Sequence, residues 1–139
     1  MTMSTNAVNA PAPRKPQILI CDDDPAFSAE LIEALGARGF AATALLTLSA
    51  IRAAILGPSV ILLDICMPEP DGIEIINMLS EHPRRDYFKI VLISGWDEQM
   101  LAAAARLCQG HKLDLLGTFQ KPVKIKPLCE LLETVGVYA

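Results

Sequence analysis

The sequence predicts an α/β fold in which a doubly wound, five-stranded parallel β-sheet carries five helices on its two faces. Two observations predict it. From residue 17 onward, short apolar runs alternate with longer segments whose apolar residues recur at helical spacing, which is typical of parallel strands joined by crossover helices. The 139 residues are 52% hydrophobic and only 20% charged, enough to bury a core without disulfides or a structural metal.

The apolar runs are the expected strands. They cover residues 17–21, 40–44, 60–63, 89–93 and 115–119. The second run is the weakest of these, and Gly117 interrupts the last. The four cysteines are scattered without C-x-x-C spacing, so we interpret them mainly as small core residues rather than as a zinc site.

Helices are expected between and after these strands. The first, residues 25–38, has Asp24 as its expected N-cap, Pro25 at its first position and Gly39 to end it. Its apolar face carries Phe27, Leu31 and Leu35. The other four helices are expected over residues 49–56, 73–81, 98–109 and 126–135.

Polar residues follow four of the five expected strands. They are Asp22, Asp23 and Asp24 after the first, Asp64 after the third, Ser94 and Gly95 after the fourth, and Lys121 after the fifth. In such folds ligands bind at the carboxyl ends of the strands, where the strand order reverses. In the flavodoxin-like order 2-1-3-4-5 the first and third strands are neighbours, which would bring Asp22, Asp23 and Asp64 together.

The negative charges of clustered carboxylates must be neutralised. Two like charges about 4 Å apart repel by roughly 4 kcal/mol at an effective dielectric constant near 20, so the cluster must bind a cation or take up protons. Carboxylate and carbonyl oxygens suit Mg²⁺, which keeps several waters and accepts phosphoryl oxygens. Asp24 alone is more simply explained as a helix cap.

Four blocks at these strand ends resemble a known family. ILICDDDPAF, VILLDICMPEPDGIEI, KIVLISGW and FQKPV are similar to blocks of the receiver domain of two-component response regulators, in the same order and over residues 17–135. The resemblance implies that Asp64 accepts a phosphoryl group from a sensor histidine kinase or a phosphotransfer protein. It also implies a signalling domain and not a conventional turnover enzyme.

The same resemblance assigns further residues. It implies that Asp23 and Asp64, with the backbone carbonyl of Cys66, bind Mg²⁺, and that Asp22 orders a metal-bound water. It implies that Lys121 pairs with the phosphoryl group, although a lysine before a proline is otherwise often a solvated loop residue. The face formed by helix 4, strand 5 and helix 5 would bind a downstream effector, an output domain or a second copy of the chain.

Three positions qualify these expectations. Ser94 donates its hydroxyl to the phosphoryl group, caps the fourth helix, or does each in a different phosphorylation state. Thr118 stands three residues before Lys121, where many receivers carry a switch Tyr or Phe, and Phe119 would lie on the opposite side of the strand. Trp96 would slow autodephosphorylation if its indole restricts water, and surface or interface packing is an equal alternative.

Charge and hydropathy exclude other classes. A net charge of -4 without any Lys/Arg run argues against direct nucleic-acid binding. No apolar stretch approaches the length of a membrane span, and the first 16 residues are expected to be a flexible leader to a receiver domain at residues 17–139. We therefore expect a cytoplasmic protein.

Two other functions remain as alternatives. A Mg²⁺-dependent phosphohydrolase of the haloacid dehalogenase type would also use an Asp after a strand, but it needs a second Asp where Cys66 stands. A phosphorylation-independent interaction module would keep the motifs as structure alone. A looser resemblance links RLCQGHKLDLLGTFQKP to receivers attached to EAL-type cyclic-di-GMP phosphodiesterases; the 18 residues after Lys121 would hold a helix and no output domain.

Overall fold

The computed structural model describes residues 16–66, 71–95 and 97–136. Its five strands form one parallel sheet in the order β2-β1-β3-β4-β5, as the sequence predicts. The strands are β1 (Gln17–Cys21), β2 (Ala42–Leu45), β3 (Ser59–Asp64), β4 (Phe88–Ser94) and β5 (Asp114–Gln120). The helices are α1 (Pro25–Gly36), α2 (Leu48–Ala54), α3 (Gly72–Ser80), α4 (Glu98–Gly110) and α5 (Ile125–Thr134), with a 3₁₀ turn at Arg85–Tyr87.

The sheet separates two apolar layers. On one face α2, α3 and α4 pack against side chains such as Leu19 and Leu63. On the other, α1 and α5 cover side chains such as Ile18 and Leu62. Every residue of β3 is buried, because a central parallel strand is covered on both faces. The carboxyl end of this strand is therefore held by a rigid scaffold.

The end of α1 explains one error in the expected boundaries. The N–H of Phe40 donates to Leu35 O at 2.9 Å and that of Gly39 to Gly36 O at 3.0 Å, with Gly39 at a φ of 89°. This closing turn confirms Gly39 as the helix stop. It also draws Phe40 into the core, so β2 begins at Ala42 rather than at residue 40.

No helix in the described part of the chain combines the length and the apolar composition that a membrane span requires. The expected leader, apart from Pro16, lies outside the described residues, as do residues 67–70, Trp96 and residues 137–139.

Among the described residues, the buried hydroxyl of Ser28 on the inner face of α1 has no hydrogen-bond partner. We expect Ser28→Ala to raise the free energy of unfolding by about 1 kcal/mol, because it removes an unsatisfied buried hydroxyl and improves helix propensity. Urea denaturation measures this. Ser49→Ala on the exposed side of α2 controls for propensity, and an equal gain there would contradict the burial argument.

Candidate functional site

Three carboxylates meet at the carboxyl ends of β1 and β3. These strands are hydrogen-bonded neighbours, with Cys21 level with Leu63, so the residues that end them lie side by side. Carboxylate oxygens of Asp22, Asp23 and Asp64 all lie within 4.8 Å of one another. Asp22 is 1% and Asp64 4% exposed, whereas Asp23 is exposed.

Backbone N–H groups fix one oxygen of each buried carboxylate. The N–H of Asp24 donates to Asp22 Oδ1 at 2.8 Å, and the N–H of Cys66 donates to Asp64 Oδ1 at 2.9 Å. The side chain of Asp24 instead caps α1, accepting from the N–H groups of Ala26 and Phe27. The capping role expected for Asp24 is therefore confirmed.

Lys121 supplies the positive charge of this cluster. Its Nζ lies 2.9 Å from Asp22 Oδ2 and 3.3 Å from Asp64 Oδ2, and its side chain is only 23% exposed. The chain reaches this point because the N–H of Lys121 donates to Ser94 O at 2.8 Å, which continues the β4–β5 pairing beyond the last strand residues. The solvated-loop interpretation of this lysine is wrong.

Burial and neighbouring charges shift the pKa values of Asp22 and Lys121. Burial raises the pKa of Asp22, and the Asp64 charge adds to this, although the Asp24 N–H and the Lys121 ammonium oppose it. Burial alone would lower the pKa of Lys121, but its contacts with Asp22 and Asp64 outweigh burial and raise it. Burial therefore disfavours the charged form of Asp22, while the two carboxylates favour the charged form of Lys121.

This donor set fits a hard divalent cation. Oxygen ligands are those that Mg²⁺ prefers, and three carboxylates against one ammonium leave a formal charge of about -2. Asp22 Oδ2 is buried and accepts no well-oriented hydrogen bond, so it could still accept one from a metal-bound water. Cys66 is exposed beside Asp64, unlike the other three cysteines, and is thus not the core residue that we expected.

Ser94 ends β4 close to Lys121. Its side chain is fully buried and its hydroxyl donates to the carbonyl of Asp97 at 3.3 Å. The N-cap of α4 is Asp97, whose carboxylate accepts from the N–H of Met100 at 3.0 Å. The alternative that Ser94 caps this helix is therefore wrong for this structure, because Ser94 lies three positions before the N-cap residue Asp97.

Comparison with protein families agrees with this geometry. The model of the response regulator receiver domain family matches residues 18–133. The chain belongs to this family. Receiver domains are signalling domains, and the five-stranded order 2-1-3-4-5 is the flavodoxin-like, CheY-like fold. Among curated proteins no relative matches the sequence.

Solved structures share this receiver fold. A response regulator from Colwellia psychrerythraea is 30% identical, with a TM-score of 0.74, and the match covers 88% of this chain and 98% of that one. A response regulator receiver protein from Pseudomonas putida is 21% identical, with a TM-score of 0.72 and coverage of 88% and 99%. The beryllofluoride-activated NtrC4 receiver domain dimer is 20% identical, with a TM-score of 0.68 and coverage of 86% and 95%.

In this receiver domain the two faces of β5 differ. Thr118 lines a groove with Leu101 and Ala105 of α4, whereas Phe119 packs into the layer of α1 and α5. The expected opposite placement of these residues is confirmed. The ring of Phe119 therefore lies on the far side of the sheet from α4. The expectation for Trp96 falls on a residue outside the described ones.

Two residues contribute to the site of this receiver although the sequence did not predict them as site residues. A Cβ on Gly72 would lie 2.6 Å from the Cα of Ile65 and 3.2 Å from Asp64 O, so this glycine lets α3 begin directly against the acidic edge. Asp71 and Glu74 form a capping box there, a signal that the sequence carries. The second residue, Phe27, has a ring centroid 4.1 Å from Lys121 Nζ.

Proposed function

We propose that this receiver domain accepts a phosphoryl group on Asp64 from the phosphohistidine of a sensor kinase or phosphotransfer protein. One observation carries the proposal: a buried carboxylate lies 3.3 Å from a partly buried ammonium and beside two further carboxylates at the sheet edge. Phosphoryl transfer needs positioning and charge compensation more than covalent chemistry, and this cluster supplies both.

The chain's own groups account for the transfer step. A carboxylate oxygen of Asp64 attacks phosphorus, the phosphorus–nitrogen bond of the donor breaks, and its electron pair stays on the imidazole nitrogen. The Cys66 N–H orients the attacking carboxylate through its 2.9 Å bond to Oδ1. Lys121, already 3.3 Å from Oδ2, stabilises the charge that spreads over the phosphoryl oxygens.

Mg²⁺ is the cofactor that this donor set suits. Asp23, Asp64 and the backbone carbonyl of Cys66 would hold it, and Asp22 would order one of its waters. The bound cation neutralises charge on the transferred group and on the carboxylates. Asp23 is exposed, so the cluster is accessible from solvent. An exchangeable cation and a protein donor both need this access.

Ser94 connects the acidic cluster to α4, because it lies at the site and its hydroxyl bonds to the N-cap residue of that helix. Its hydroxyl makes a long, 3.3 Å hydrogen bond to the Asp97 carbonyl, and a phosphoryl oxygen on Asp64 is a stronger acceptor. If the Ser94 hydroxyl donated its hydrogen bond to this oxygen instead, it would release the carbonyl of Asp97, the N-cap residue of α4. The face of α4, β5 and α5 then changes shape for an effector, an output domain or a second copy, with Thr118 in place of an aromatic switch.

The test uses acetyl phosphate and Mg²⁺ with the full chain. We expect the intact mass to increase by one phosphoryl group, which peptide mapping assigns to Asp64, and EDTA to prevent this. Asp64→Asn should abolish the increase. Asp114→Asn makes the same change at the first residue of β5, at the amino end of that strand, and should leave the mass increase intact.

Two results would contradict the proposal. An unchanged wild-type mass, with partner binding retained, would indicate a phosphorylation-independent interaction module. Continuous release of phosphate from phosphate esters would indicate a phosphohydrolase and not a signalling domain.

A further inference from the structure

The ring of Phe27 faces the ammonium of Lys121. Phe27 is the third residue of α1 and is partly buried beside Pro122 and Val123. Its centroid lies 4.1 Å from Lys121 Nζ, well inside the roughly 6 Å over which a ring face attracts a cation. The lysine that pairs with the acidic cluster is thus also in contact with the face of an aromatic ring.

The three neighbours of this ammonium differ in kind. Asp22 and Asp64 attract it at 2.9 and 3.3 Å, and both are fixed by backbone N–H groups. A lysine stem is flexible and carries about 2 kcal/mol of rotamer entropy, so two carboxylates leave it free to swing on its open side. The ring of Phe27 occupies the side toward which the Lys121 ammonium would otherwise move.

We propose that Phe27 is a positioning residue for phosphoryl acceptance by Asp64. Its ring face keeps the Lys121 ammonium at the place where the phosphoryl oxygens arrive and excludes water from one side of it. This inference rests on the proposed function of Asp64. Preorganised charge costs no rearrangement during the reaction, so loss of the ring should slow transfer without changing which residue is modified.

Apolar packing is the competing explanation. Phe27 lies on the same helix face as Leu31 and Leu35, both of them buried core residues, and this spacing alone predicts a core side chain. Packing depends on the shape of the ring, whereas attraction of the ammonium depends on its negative face. Phe27→Leu and fluorinated phenylalanines at this position separate the two.

The experiment measures the rate of phosphorylation by acetyl phosphate with saturating Mg²⁺. We expect Phe27→Leu to reduce the phosphorylation rate by about three- to tenfold. Each fluorine added to the ring should lower the logarithm of this rate by a further step. The ε-methylene protons of Lys121, assigned by Lys121→Arg, should lose an upfield ring-current shift in Phe27→Leu. Phe119→Leu, an aromatic replacement in the same layer, should change neither readout, and melting curves check folding.

The outcomes distinguish this inference from the proposed function. Wild-type phosphorylation with an unchanged rate in Phe27→Leu, or a rate insensitive to fluorination, would overturn the positioning role alone. Failure of the wild-type chain to take up a phosphoryl group would overturn both. A graded loss of rate with intact folding would support Phe27 as the residue that positions Lys121.

Discussion

Gly72→Ala is expected to lower the free energy of unfolding by about 2–3 kcal/mol, since inserting a methyl group into a closely packed site forces the backbone to move. The new Cβ would lie 2.6 Å from the Cα of Ile65. Because this contact is with backbone, no side-chain rotation relieves it. The strain falls on the residue after Asp64, so Mg²⁺ affinity and phosphorylation should decline as well. Urea denaturation and Mg²⁺ titration measure the two effects.

Gly36→Ala is the matched control for this prediction. It makes the same chemical change in the last turn of α1, where a Cβ would meet no atom within 4 Å. Alanine is favoured over glycine in a helix by up to about 1 kcal/mol, so Gly36→Ala should stabilise the protein. A Gly72→Ala variant as stable as Gly36→Ala would show that α3 shifts without cost.

The sheet was predictable because its signals are local. Residues 17–21 were expected as a strand and form β1 unchanged, since Pro16 precedes this segment and the apolar residues end directly before Asp22. Most other elements differ from expectation by one or two residues at an end. The expected strand at residues 40–44 was wrong at its start because the N–H groups of Gly39 and Phe40 bond back to the last turn of α1, a local closing turn that an apolar run alone does not reveal.

The candidate site was predictable in its ionisable residues but not in its packing. Asp22, Asp64 and Lys121 come together because parallel strands end at one edge, a consequence of topology that the strand order implies. Phe27 was assigned to the core by its helical spacing, and only the three-dimensional structure places its ring beside Lys121. Periodicity identifies a buried face, but it does not identify what lies opposite each position.

Asp22→Asn is expected to raise stability at neutral pH without Mg²⁺, by about 1–2 kcal/mol, because burial raises the folded-state pKa of Asp22 and folding therefore disfavours its charged form. Lys121 loses its contact with Asp22 but keeps Asp64 at 3.3 Å. The amide oxygen can still accept the 2.8 Å hydrogen bond from the Asp24 N–H. The same change should weaken Mg²⁺ binding by roughly tenfold or more, since groups around a metal contribute to affinity. Thermal melts with and without Mg²⁺ would reveal both effects.

The advantage of Asp22→Asn should depend on pH. The folded-state pKa of Asp22 is raised above the ordinary value of 3.8, so the folded chain binds more protons than the unfolded chain between these values. The destabilising contribution of Asp22 is therefore absent below the unfolded pKa, grows as the pH rises through the window and is complete above the folded pKa. The advantage of the Asn variant should accordingly shrink on acidification toward about pH 4.

An exposed carboxylate provides the control of opposite sign. The hydrogen bond from Arg84 lowers the pKa of Asp86, so the stabilising contribution of Asp86 is present above its unfolded pKa and is lost as the pH falls through its folded value. Asp86→Asn should therefore destabilise slightly at neutral pH and have no effect in acid. If Asp22→Asn and Asp86→Asn change stability in the same direction with pH, burial does not control Asp22, and the case for an uncompensated, cation-binding cluster loses its electrostatic support.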